Sequence, residues 1–129
     1  MLKSPQVRLL KHYCEQLQQC RTNAEKEEAI RESFGNGYVY DDMCVLLNPL
    51  IMSGIKEKSR SKQVLCEFLT DEALQVMNCN TLGQLMKYLN SLPGITQPIL
   101  AAVQDQISSL DEDLQAFASS FICKTLKIG

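Results

Sequence analysis

Thr81-Leu82-Gly83-Gln84-Leu85-Met86-Lys87-Tyr88-Leu89-Asn90-Ser91-Leu92-Pro93-Gly94 reads as one complete helix with its start and stop signals attached. The Thr81 hydroxyl suits an orphan backbone N–H of the first turn, and Gln84, three residues on, reaches back, which makes a capping box. Leu82, Leu85, Met86, Leu89 and Leu92 recur at helical spacing and form one apolar stripe. Pro93-Gly94 ends the run, because proline lacks the N–H that a further turn needs.

The same grammar repeats on either side. Ser4-Pro5 opens a helix over residues 5–20, with proline where a missing N–H costs nothing, and Val7, Leu10, Cys14 and Leu17 face inward. Thr22-x-x-Glu25 is a second capping box and Ser109-x-x-Glu112 a third. The Thr22 box starts a helix over residues 23–34 in which only Ala29, Ile30 and Phe34 look inward. Its polar face carries Glu27 and Arg31, a four-residue pair worth about 0.3 kcal/mol, and Gly35 is expected to stop it in the left-handed conformation. Gly35-Asn36-Gly37 is then a turn. Tyr38-Val39-Tyr40 favours extended backbone but has no second strand to pair with, so it reads as coil packed by its tyrosines.

Asp41 or Asp42 is expected to cap a helix of Met43, Cys44, Val45, Leu46 and Leu47, apolar all round and therefore enclosed. At Pro49 this helix either kinks or restarts as a short helix capped by Asn48 and ended by Gly54. Beyond the charged linker Lys56–Lys62, the stripe Leu65, Leu69, Ala73 and Val76 continues. Thr70-Asp71-Glu72 in its middle is either a fresh helix start or a solvent-facing interruption. Asn78-Cys79-Asn80 is a turn. After the helix from Thr81 come residues 97–110, with Leu100, Val103 and Ile107 inward, and residues 111–126, with Leu114, Phe117, Ala118, Phe121 and Ile122 inward. The expectation is an all-α chain: a single domain over residues 1–129, folded as an orthogonal or irregular bundle of six to seven short helices.

Composition agrees with a globular protein: 45% of residues are hydrophobic and 22% charged, far from the values of a disordered chain. The net charge of −2 is unevenly placed. Residues 1–62 carry 10 basic and 8 acidic side chains (+2), and residues 63–129 carry 3 and 7 (−4). No Lys or Arg lies between Lys87 and Lys124, which argues against a broad nucleic-acid face in that half. No apolar run approaches the roughly 20 residues that span a bilayer. The N-terminus lacks the uninterrupted apolar segment of a signal peptide, and the six cysteines show no Cys-x-x-Cys spacing. Reduced thiols, a cytoplasmic location and no metal or other cofactor are the expectation.

Catalytic chemistry finds little to work with. His12 has Arg8, Leu9, Glu15 and Gln16 as helical neighbours and reads as a surface histidine. Cys79, in a polar turn, is the thiol expected to be most exposed, with no cation beside it in sequence to activate it. Asp111, Glu112 and Asp113 fall in a first helical turn, where negative charge opposes the helix dipole.

Leu92-Pro93-Gly94-Ile95-Thr96 resembles the hairpin of a helix-hairpin-helix motif, with the match covering residues 81–107. The resemblance implies that backbone N–H groups at Gly94, Ile95 and Thr96 hold a nucleic-acid phosphate. Thr96 stands where the motif has its second glycine, Pro98 where it often has a basic residue, and Leu100 where it has a small one.

The sequence therefore favours a non-enzymatic protein–protein interaction module, an adaptor, regulator or assembly subunit. Its partner-binding residues are read as Arg31, Tyr38 and Tyr40, joined by the basic loop residues Lys56, Lys58, Arg60 and Lys62. Tyrosines of this kind are frequent interface anchors. A second copy of the chain is an alternative partner. The competing reading is a nucleic-acid-binding protein that uses the Leu92–Thr96 hairpin and the same basic loop.

Overall fold

Pro5, with its fixed backbone angle, and Thr22, with its hydroxyl, mark where the first two helices begin. The computed structural model describes residues 1–56 and 69–126, and among these it is all-α, a bundle of seven helices without strands. Helix α1 spans Ser4–Gln19, with Pro5 in its first turn. The Ser4 hydroxyl does not cap α1. It accepts the backbone N–H of Asp111 at 3.0 Å and so joins the start of α1 to the start of the last helix. Helix α2 spans Asn23–Glu32, and both halves of its capping box form: Thr22 Oγ1 accepts from the N–H of Glu25 (3.2 Å), and Glu25 Oε2 accepts from that of Thr22 (3.4 Å).

Between α2 and α3 the structure departs from the expectation. Gly35 is not left-handed; Ser33–Gly35 forms a 3-10 turn, and α3 begins at once, spanning Gly37–Leu47. Tyr38-Val39-Tyr40 is thus helical, not coil. The β-preference of this triplet yields to packing, because a helix puts Val39 (3% exposed) and Met43 (0% exposed) on the same inward face. Asp41 and Asp42 lie inside α3 and cannot cap it. The helix ends at Leu47 because Asn48, ahead of Pro49, is extended (φ −84°, ψ 110°). No short helix follows. Residues 48–56 form an irregular loop, turned by the N–H of Leu50 donating to Asn48 Oδ1 (3.0 Å) and pinned by the Ser53 hydroxyl donating to the Ile122 carbonyl (2.7 Å). Gly54 adopts φ +77° beside Ile95, a conformation glycine adopts without strain.

Helix α4 spans Asp71–Asn78 and is a fresh start: Thr70 Oγ1 accepts from the N–H of Ala73 at 3.2 Å. Leu69 is exposed, so the stripe drawn through it does not hold, and Leu65 lies outside the described residues. Helix α5 spans Leu82–Ser91, α6 Gln97–Ser108 and α7 Glu112–Cys123. The Thr81 cap forms on the N–H of Gln84 (3.1 Å), while the Gln84 side chain accepts from Asn80. The third box does not form. The Ser109 hydroxyl donates to the Gln106 carbonyl and closes α6 instead. Within α6, Ile99 is buried, whereas Leu100 is only half-buried.

The core lies where α1, α3, α5 and α7 meet. Leu10, Met43, Leu85, Met86, Leu114 and Phe121 are each 0% exposed there. α1 packs on α2, α3 and α7; α5 packs on α3, α4 and α7; α6 packs on α4 and α7. Two polar groups stitch this interior. Gln106, fully buried, accepts the N–H of Leu2 (2.8 Å) and donates to the carbonyls of Val76 (2.7 Å) and Cys79 (3.0 Å), leaving neither end of its amide idle. Asp42, 5% exposed, accepts the N–H of Gly83 at 2.8 Å, so it serves the N-terminus of α5 rather than that of α3. A Cβ at Gly83 would run into the Asp42 carboxylate. Burial pushes the Asp42 carboxyl from its ordinary 3.8 to about 6, against the lowering pull of the Gly83 N–H and the Thr81 hydroxyl.

Among the described residues no helix is long and apolar enough to cross a membrane.

Candidate functional site

The 3-10 turn aims α3 so that one of its sides faces away from the core. Ser33, fully buried, donates its hydroxyl to the Ile30 carbonyl. Asn36 donates its side-chain amide to the Tyr13 hydroxyl at 3.1 Å, which ties the turn to α1. With the turn fixed, Val39, Met43 and Val45 enter the core, and Tyr40, Cys44 and Leu47 are left along the outer side of α3. These three sit at i, i+4 and i+7, so they stack as neighbours on one helical face over roughly 11 Å. Phe34 extends the row: its ring lies 4.3 Å from that of Tyr40, tilted by 39°. Phe34 is 55% exposed, against the expectation that it faces inward, and Leu50, just past the end of α3, is 83% exposed.

This outer row also corrects the reading of α3 as an enclosed helix. Cys44 is the exposed thiol of the described residues, and Cys79 is half-buried, its thiol donating to the Gln75 carbonyl at 3.3 Å. Burial raises the Cys79 thiol above its ordinary value and carries the Cys14 thiol to about 12. Interaction with the Cys44 side chain, one helical turn on, raises the Tyr40 phenol above its ordinary value.

The residues singled out from sequence are only partly brought together. Tyr38 is 61% exposed, but two residues of helix place it about 200° round the axis from Tyr40, so the pair does not form one anchor. Tyr40 pairs with Phe34 instead. Arg31 is exposed in the last turn of α2, three residues before Phe34; Glu27 does not pair with it. Lys56 is exposed in the loop after Gly54, while Lys58, Arg60 and Lys62 lie outside the described residues. Phe34, Cys44, Leu47 and Leu50 were missed. Their signal was present as the i, i+4, i+7 spacing of Tyr40, Cys44 and Leu47, but an all-apolar segment hides which face is the outer one.

Leu92, Pro93, Gly94 and Ile95 of the hairpin line a cleft of about 210 Å³ shared with Met52, Ser53 and Asn90. Gly94 and Thr96 are exposed and Ile95 is half-buried beside Gly54. Thr96 occupies the N-cap position of α6, without a side-chain cap bond. The flanking helices do not pack along each other as a pair. α5 leans on α3 and α6 on α4.

His12 is exposed, 3.3 Å from the Gln16 side-chain nitrogen and edge-on to Tyr13. Asp111 and Asp113 engage Arg8 across the molecule at 2.9 and 2.6 Å, and the Arg8 guanidinium holds the Asp113 carboxyl below its ordinary value. Among the described residues no three His, Cys, Asp or Glu side chains are grouped to hold a metal ion. In comparison with known proteins, the chain matches no family model, no curated protein and no solved structure.

Proposed function

We propose that this chain is a non-enzymatic interaction module, cytoplasmic, that meets a protein partner through the edge formed by the α2–α3 turn and the outer side of α3. One observation carries the reading. Phe34, Tyr40, Cys44 and Leu47 form a contiguous row outside a core that is already complete without them. Apolar residues scattered over a surface need no explanation, but a row with stacked aromatics marks a surface suited to a second macromolecule. Arg31 borders this row at the end of α2, whereas Tyr38 lies on the far side of α3, outside the row. Among the described residues, Cys14, Cys20, Cys44 and Cys79 are free thiols, which suits a reducing compartment.

The test is site-specific photocrosslinking in cells. A photoreactive phenylalanine analogue at Tyr40 is expected to give a discrete adduct of higher mass, whereas the same group at Gln115, on α7, gives none. Identical adduct patterns from the two positions, or none from either, would overturn the assignment.

A further inference from the structure

The charges around the exposed row say what kind of partner it takes. Between Asn23 and Leu47, leaving out the buried Asp42, the chain has five acidic and two basic side chains, a net −3, against −2 for the whole protein. Glu28, Glu32 and Asp41 are exposed, and no ion pair among the described residues engages them. Asp41 follows Tyr40 directly and precedes Cys44 by three, so it flanks the row; Glu32 stands two residues ahead of Phe34. An apolar row beside uncompensated acid suits an incoming surface with the opposite pattern.

We propose that this edge docks a basic amphipathic helix of a partner protein. Resting on the interaction reading above, the proposal adds the chemistry of the occupant. Its apolar residues at i, i+4 and i+7 lie against Tyr40, Cys44 and Leu47, and Lys or Arg on its flank meets Asp41 and the acids of α2. A row of about 11 Å matches two to three turns of helix, the length over which ridges and grooves of two helices interdigitate. A second copy of the chain fits less well. A two-fold contact across α3 would bring both copies' Asp41 and α2 acids to one interface, where like charges repel. Phosphate-rich surfaces, nucleic acid or lipid, meet the same repulsion.

The test uses the full chain as bait for a displayed library of helical peptides randomised on one face, with counter-selection on Leu47→Glu. Leu47 is 43% exposed, so this variant keeps its fold, which circular dichroism checks. The enriched peptides are expected to carry net positive charge and apolar residues at the stated spacing. A representative should bind Leu47→Glu about tenfold or more weakly, bind Asp41→Lys several-fold more weakly, and weaken as salt rises from 50 to 500 mM, since screening shortens the reach of charge. Tyr38→Ala should leave its affinity unchanged. Enriched peptides of neutral or acidic character, or binding indifferent to salt, would overturn the charge inference while sparing the docking reading. No enrichment over the counter-selection overturns both. A reversible dimer in sedimentation, abolished by Leu47→Glu, assigns the row to a second copy and overturns the proposal as well.

Discussion

Helix α7 buries six of its twelve residues, whereas α2 buries one of its ten. Their local signals run the other way. α2 has a fully formed capping box and Arg31 in its last turn. α7 has no side-chain cap at Asp111, and it ends with Lys124, a non-glycine residue, at φ 54°. α7 endures because α1, α5 and α6 surround it and because Arg8 bridges Asp111 and Asp113. α2 touches α1 and the 3-10 turn, and little else. One helix is written by its neighbours and the other by its own sequence. The freedom of the second is what leaves Phe34 and the outer side of α3 open to solvent.

The largest expected effect tests the packed side of this contrast. Phe121→Ala in α7, at a residue 0% exposed, should cost about 4 kcal/mol in urea unfolding, the range for a buried aromatic cut back to a methyl. Ile30→Ala, on the half-buried face of α2, should cost less than half as much. Equal losses would dissolve the distinction.

Next in size comes the joint between the two regions, Asp42, which ties α3 to the start of α5. Its folded carboxyl, at about 6, holds a proton more tightly than the unfolded chain does near 3.8. Its contribution is therefore full below pH 4 and is lost as pH rises through 6, on the order of 3 kcal/mol in all. Lowering the pH from 7.5 to 5 should raise the urea midpoint. Asp42→Asn keeps an acceptor for the Gly83 N–H and should flatten that slope. A slope that persists in Asp42→Asn would place its origin elsewhere. Asp113, held down by Arg8, acts in the opposite sense, losing its contribution only as pH falls below the ordinary carboxylate range.

The smallest effect sharpens the view of α2. Thr22→Ala removes the hydroxyl that accepts from Glu25 and should cost about 1 kcal/mol. Because α2 depends on that local bond, hydrogen exchange should speed up within residues 23–32 while the amides of α7 keep their protection. Uniform loss of protection would mean that α2 is as much a part of the core as α7.

These contrasts explain which parts of the molecule were legible in advance. The Thr22 and Thr81 starts, the inward stripe of α5 and the buried face of α7 follow from side-chain spacing and short-range capping, and the structure has them, while Thr70, open in sequence between a start and an interruption, is decided by the structure as a start. The segment from Gly35 to Asp42 was misread because its local signals conflict: glycines suggest a turn, Tyr-Val-Tyr suggests extension, and two aspartates suggest a cap. Packing settles the conflict by requiring Val39, Asp42 and Met43 on one inner face. The candidate surface was legible only in its location. Arg31 and Tyr40 border or belong to it, but Tyr38 turns away, and Phe34 and Leu47 had been assigned to the interior.

By itself the sequence determined that the chain is helical and where most helices begin, since capping and the 3.6-residue period act over four or five residues and need no partner. Only the tertiary structure decided which side of α3 faces water, that Asp42 serves another helix, and that Phe34 meets Tyr40. Those outcomes depend on which surfaces are already covered. In a segment as uniformly apolar as residues 43–47, coverage comes from distant helices and leaves no local trace.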